Sequence, residues 1–369
     1  MKYIDGFRNP AAAMAIRGQI DAWGRTLAAA GRRVAVMEVC GSHTMAIARY
    51  GIRDLLPEGV SLISGPGCPV CVTPTQYVDA AVELAARGMT IVTFGDMLHV
   101  PGSKTTLAAC RSQGGRIEVC YSPARALDLA AAEPAREVVF LAIGFETTIA
   151  PVLCMLDAAV RRGLRNVSLL TAFKLVPPAL HALLTDPEIK IDAFLCPAHV
   201  SAIIGADAYL PFAAQYRVPC VICGFEPLDI LHGIEGVLGQ AVAGEARVDN
   251  RYARVVTRGG NAQALAFMDR YLRPVDAAWR GIGTIPASGL GLREAFATYD
   301  AERRHGVTVA LGRENPACRC GDVLKGKLRP PDCPLFGTAC SPDHAVGPCM
   351  VSSEGTCSAY FKYSEMYGR

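Results

Sequence analysis

Apolar runs of strand length recur along this chain, and nearly every one breaks off into a short polar signature. That rhythm constrains the fold more than any other feature. The run 34–39 leads into Cys40-Gly41-Ser42-His43-Thr44, and 60–64 into Gly65-Pro66-Gly67-Cys68-Pro69-Val70-Cys71. The run 90–94 leads into Gly95-Asp96-Met97, and 117–121 closes the set. Then 138–143 leads into Gly144-Phe145-Glu146, 168–172 into Phe173-Lys174-Leu175, 193–196 into Pro197-Ala198-His199, and 219–222 into Cys223-Gly224-Phe225-Glu226. Uninterrupted apolar runs suit parallel strands buried on both faces. Between them lie stretches of helical period, among them 9–30, 45–50 and 75–87. Strands alternating with helices predict an α/β fold of doubly wound parallel sheets. Ligands in such sheets bind beyond the carboxyl ends of the strands. Cys40, Cys68, Cys71 and Asp96 are therefore expected on one edge of one domain.

Three segments are expected: 1–123, an α/β domain with Cys40 and the Cys68/Cys71 loop; 124–245, a second α/β domain; and 246–369, helical and Cys-rich. The tripeptide Gly-Phe-Glu at 144 and 224 suggests that the second domain has its own polar rim. Beyond Gly233 the strand rhythm fades, and 262–272 reads as a helix. From Asn315 the chain turns to Cys, Pro and Gly with few apolar runs. Such a segment needs a staple, most simply a metal cluster.

Composition narrows the function classes. Of 369 residues 51% are hydrophobic and 19% charged, with a net charge of +3. This fits a folded protein and calls for neither nucleic acid nor an anionic membrane. Residues 1–10 lack the apolar core of a secretory leader, and no long apolar run suits a membrane span, so a cytoplasmic location is expected. Fifteen cysteines in such a protein point to metal ligation or thiol redox chemistry instead of structural disulfides. The chain carries no phosphate-binding Gly-x4-Gly-Lys loop and no Gly-x-Gly-x-x-Gly after its first strand, so neither ATP nor NAD use is suggested.

The strongest chemical signal is the tail, where Cys333, Cys340, Cys349 and Cys357 fall within one short stretch. Four thiolates suit a [4Fe–4S] cluster, and they also suit zinc, although the spacing is not that of a zinc ribbon. Cys318-Arg319-Cys320 just upstream is either a dithiol relay or a source of further ligands. Cys68-Pro69-Val70-Cys71, pinned by prolines and glycines, reads as a rigid redox or metal-binding loop. Cys40 opens a helix with His43 close by, which suits a nucleophile or a soft ligand to low-valent metal. Asp96, Glu146, Glu226 and Asp229 are acids at strand ends, placed to position a substrate, take a proton or cap a helix. His199 stands at another strand end. Cys110, Cys120, Cys154, Cys196 and Cys220 read as packing residues, and Cys223 is open.

Taken in order, these motifs resemble the HypD family of hydrogenase maturation factors. Its carriers are Cys40-Gly41-Ser42-His43-Thr44, Gly65–Cys71, Phe94-Gly95-Asp96-Met97, Gly144–Thr148, Pro197–Ser201, Cys223–Pro227 and Gly347–Gly355, and the likeness spans essentially the whole chain. His99 departs from the arginine expected before Val-Pro-Gly. The resemblance implies a cofactor-assembly scaffold with redox activity, and not a turnover enzyme of the ordinary kind. It would build the Fe(CN)2(CO) unit of [NiFe] hydrogenase with a small HypC-type chaperone. It would take cyanide from a HypE-type donor and serve the hydrogenase large subunit indirectly. Carried over by motif, Cys40 would ligate the iron beside His43, and Cys68 and Cys71 would be a neighbouring redox dithiol. Cys333, Cys340, Cys349 and Cys357 would hold a [4Fe–4S] cluster, with Cys318 and Cys320 left as relay or further ligands. A ferredoxin-linked thiol–disulfide oxidoreductase is the alternative, and a Cys40/His43 hydrolase a third reading.

Overall fold

The structure, a computed structural model, describes residues 5–309 and 314–364. The first four residues of the N-terminal stretch weighed above as a leader lie outside them. Strands β1 (Val34–Glu38), β2 (Val60–Ser64), β7 (Ala193–Pro197), β8 (Cys220–Cys223) and β9 (Val248–Asn250) form one sheet in the order β2-β1-β7-β8-β9. Every pairing in it is parallel. The second sheet runs β10-β11-β6-β5-β3-β4. Its parallel part is β3 (Thr90–Thr93), β4 (Ile117–Val119), β5 (Val138–Gly144) and β6 (Val167–Lys174). An antiparallel hairpin, β10 (Leu272–Trp279) and β11 (Gly283–Leu292), extends its edge.

Local chemistry accounts for the helices around these sheets. In α1 (Pro10–Ala29) the Asn9 side chain accepts from the N–H groups of Ala11 and Ala12 at 2.9 and 3.2 Å, and Pro10 occupies the first turn. Such a cap is worth about 1 kcal/mol. Ile20 and Leu27 of this helix pack with Ile230 and Ile234 of the helix Pro227–Ala243 and with Val34, Leu195 and Val221 of the first sheet. Tyr77, Val78 and Leu84 of α3 (Thr75–Ala86) cover one face of the second sheet, and Ile149, Leu153 and Leu156 cover the other. Each such side chain contributes roughly 1.5–3 kcal/mol on burial. A further core joins both sheets to the tail through Met37, Phe194, Trp279, Cys320, Cys349 and Cys357.

Sheet membership departs from the expected segments. The first sheet draws strands from 34–64 and again from 193–250, and the second from 90–174 and 272–292. Boundaries at 123 and 245 therefore do not separate the sheets. Asp96 follows β3 in the second sheet, not the sheet that carries Cys40. The two Gly-Phe-Glu signatures likewise end strands of different sheets. Period and composition reveal a strand, whereas its partner is chosen by packing between segments far apart in sequence.

The topology nevertheless singles out two places. In the first sheet the chain leaves β1 toward β2 on one side and β7 toward β8 on the other. A crevice opens where the winding reverses, beyond the carboxyl ends of β1 and β7. Cys40 and His199 stand there. The second sheet reverses between β3 and β5, whose ends carry Asp96 and Glu146.

Candidate functional site

Cys40 is the extended residue between β1 and α2 (Gly41–Arg49). Its thiol is buried, and burial pushes it up to about 12; the backbone N–H groups of His43 and Ser42 oppose that rise. A helix start alone suggested a more acidic thiol, but here desolvation outweighs it. A soft metal ion reverses the balance, because thiolate ligation expels the proton. Beneath the loop lies Glu38, which the apolar run around it concealed. Its carboxylate accepts from the Thr44 hydroxyl at 2.7 Å and from the Cys40 N–H at 3.4 Å. Burial raises it to about 7, opposed by the Arg53 charge 3.9 Å away.

The Cys68/Cys71 loop is stitched to Cys40 by its glycines. The Gly41 N–H donates to Gly67 O at 3.0 Å, and the Gly65 N–H to Glu38 O at 2.7 Å. A Cβ on Gly67 would stand 2.3 Å from the Cys40 nitrogen, so only glycine permits this approach. Within the loop the Cys71 N–H donates to Cys68 Sγ at 3.3 Å. Both thiols are buried, and burial pushes Cys71 well above the ordinary thiol range.

Cys71 also lies beside Cys349, which neighbours Cys320 and Cys357 in turn. The free thiols of Cys318 and Cys320 both lie against Gly347. An unbroken line of thiols thus runs from the loop into the tail. Cys318, Cys320, Cys333, Cys340 and Cys357 line one small cavity, while Cys349 is absent from its lining and is fully buried on the Cys71 side. The lining fits an all-thiolate group. A Cβ on Gly347 would stand 2.5 Å from Cys318 Sγ and 2.7 Å from Cys320 Sγ, and the Val346 N–H donates to Cys340 Sγ at 3.4 Å. Bare backbone against sulfur is the environment in which clustered thiolates are stabilised. Among the described residues no three His, Cys, Asp or Glu side chains converge closely enough to hold a single metal ion.

His43 is fully buried, and its Nε2–H donates to the carbonyls of Gly224 and Cys223 at 2.9 and 3.2 Å. Burial lowers it to about 4, so the ring is neutral near pH 7, and Nδ1 has no hydrogen-bond partner among the described residues. Phe225 lies between the two histidines, its ring centre 4.8 Å from His43 and 4.3 Å from His199. Cys223 Sγ lies 3.6 Å from His43 Nε2, which brings this open residue into the same rim. The tail closes over it: the Ser42 hydroxyl donates to Glu354 at 2.8 Å, and the Ser352 hydroxyl to Asp96 at 2.7 Å. Asp96 therefore tethers the tail and does not cap its short helix, whose cap is Phe94.

Of the remaining acids only Asp229 adjoins the rim, its Oδ2 2.2 Å from where a Cβ on Gly224 would stand. Glu226 pairs with Arg8 through two bonds of 2.7 and 3.1 Å at a surface helix start. Asp229 is clamped by Arg254. Glu146 is buried at the second crevice, accepting from the Val176 N–H at 3.0 Å, and burial raises it to about 7. None of the described helices is long and apolar enough to cross a membrane.

Known proteins resemble this chain over nearly its whole length. The family model HypD, described as the "Hydrogenase formation hypA family", matches residues 15–364. The hydrogenase maturation factor HypD of Azotobacter vinelandii is 48% identical over 98% of this chain and 97% of its own length. The HypD protein of Rhizobium leguminosarum bv. viciae is 45% identical over 98% and 96%. That of Escherichia coli K12 is 41% identical over 99% of both chains.

Proposed function

The chain belongs to the HypD family of hydrogenase maturation factors, and from that premise we propose that it is the scaffold on which the Fe(CN)2(CO) unit of a [NiFe] hydrogenase is put together. The observation that carries this reading is the continuity of thiols. Cys40 sits in the reversal crevice of one sheet, stitched to the Cys68/Cys71 loop, and that loop contacts the tail thiols through Cys349. Low-valent iron bearing cyanide and carbonyl prefers soft thiolate donors. Cys40 supplies one, and a thiolate of a small HypC-type chaperone supplies the other. A HypE-type partner delivers cyanide, and the finished unit passes on toward the hydrogenase large subunit.

The remaining residues serve that iron as cargo. The neutral His43, anchored by its Nε2–H, walls the crevice without adding charge. Phe225 and His199 form its outer rim and limit the entry of water. Ser42 and Glu354 hold the tail over Cys40. Oxidation of Cys68 and Cys71 to a disulfide releases two electrons and two protons, and re-reduction takes them back.

Of the five cysteines lining the cavity, Cys318, Cys333, Cys340 and Cys357 are the proposed holders of a [4Fe–4S] cluster, Cys320 being set apart by its place next to Cys71. Cys349 and Cys320, in mutual contact and next to Cys71, then form the relay. This division differs from that read off the spacing, which placed Cys349 among the ligands. When bound, the cluster supplies one-electron exchange. The test is infrared spectroscopy of the anaerobically purified protein with its chaperone partner. Cyanide and carbonyl stretches support the assembly role. Their absence under every expression condition, with thiol–disulfide exchange retained, turns the reading to an oxidoreductase.

A further inference from the structure

The turn between β10 and β11 enters the junction of the two thiol loops. The Arg280 N–H donates to Val72 O at 2.8 Å, one residue past Cys71. Its neighbour Gly281, at φ +72°, lies so close to the residue after Cys320 that a Cβ there would stand 2.3 Å from Gly321 Cα. Trp279 belongs to the same core as Cys68, Cys71, Cys320, Cys349 and Cys357, and Ile282 packs against that core. The hairpin thus reaches both thiol groups at once.

Arg280 is only 3% exposed, and its Nε and Nη1 have no hydrogen-bond partner among the described residues. The nearest carboxylate, Glu314, is 3.7 Å from Nε and partly exposed. A guanidinium is always charged, and burying it without full bonding is costly. Such a group persists where a further negative charge completes it. Neutral thiols provide none, but thiolates holding a metal group do. The Arg280 charge reaches the Cys318 thiol.

We propose that Arg280 is the counter-cation of the tail thiol nest, balancing the negative charge the nest gains on binding its metal group and setting that group's reduction potential. The proposal rests on the reading that the nest holds iron and sulfide. Reduction adds a negative charge beside a fixed positive one, so Arg280 favours the reduced form. It acts through the thiolates and is a positioning residue.

The experiment uses the full chain, reconstituted anaerobically with ferrous iron and sulfide, as wild type, Arg280→Gln and Arg280→Lys. Arg280→Met, neutral and of similar length, replaces the Gln variant if that variant does not fold. Iron and sulfide contents are expected to match in all forms. At the potential where wild type is half reduced, the oxidised-to-reduced ratio should rise about tenfold in the neutral variant, about 59 mV for a one-electron couple. The Lys variant should stay within about twofold of wild type. A neutral variant that titrates with wild type overturns the role of Arg280 and leaves the cluster reading standing. Wild type that takes up zinc without iron and sulfide overturns the cluster reading instead. Arg280 is then judged by zinc release to a chelator: about tenfold faster loss from the neutral variant supports it, and equal rates overturn it.

Discussion

Gly67 lies against the backbone of Cys40 so closely that a single added methyl group would sit 2.3 Å from the Cys40 nitrogen. This contact joins the Cys68/Cys71 loop to the residue assigned to the iron, and it predicts a sharp contrast between two substitutions. Gly67→Ala forces the loop off Cys40 and should cost about 1–3 kcal/mol, seen as a thermal midpoint several degrees lower. Gly18→Ala, in α1 with nothing within 4 Å of the new atom, should be neutral or slightly stabilising. Equal midpoints for the two variants would show that the loops are not in contact.

A second prediction concerns pH. Burial holds the Glu146 carboxyl near 7 against an ordinary value of 4.5. Between those values the folded protein keeps a proton that the unfolded chain has lost. The stability this group lends is complete below about 4.5 and disappears as pH rises through 7, a change of roughly 3 kcal/mol. Glu146→Gln keeps a carbonyl acceptor for the Val176 N–H and removes the titration. The melting temperature of the variant relative to wild type should rise between about pH 5 and pH 8. Parallel curves would mean that Glu146 is not buried as described.

The tail makes a third prediction. Cys318→Ser should lose most of the iron and sulfide taken up on anaerobic reconstitution, with the visible absorption that accompanies them. Cys349→Ser should retain both, yet its Cys68/Cys71 pair should no longer follow the redox state of the tail when thiols are counted by alkylation. The reverse pattern, with Cys349 needed for iron and Cys318 dispensable, would restore the ligand set that spacing suggests.

Much of this architecture was legible residue by residue. The run that became β5 is apolar without interruption, those of β1 and β2 are apolar apart from Glu38, Ser61 and Ser64, and chains of that kind have few alternatives to a buried strand. The thiols at the ends of β1 and β2 follow from the same rhythm. Partnership was not legible: Val36 lies beside Ala193, a pairing that local period cannot encode. The β10–β11 hairpin was missed because Arg273, Pro274, Asp276, Pro286 and Gly289 disturb its alternation. Arg280, at its turn, therefore stood without context. Glu38 left one signal, a carboxylate inside an apolar run, which is costly unless partners await it. The tail spacing suggests a metal group but not which thiols share a cavity, since that depends on how Gly347 brings the backbone against Cys318 and Cys320.

The most direct measurement compares the infrared spectra of wild type and Cys40→Ala, each purified anaerobically with the chaperone partner. Cys40 stands at the carboxyl end of β1, where the first sheet reverses, so its loss should abolish the cyanide and carbonyl stretches while the tail keeps its iron and sulfide. Stretches that persist unchanged in Cys40→Ala would contradict the assignment of Cys40 as the ligand of the assembling iron.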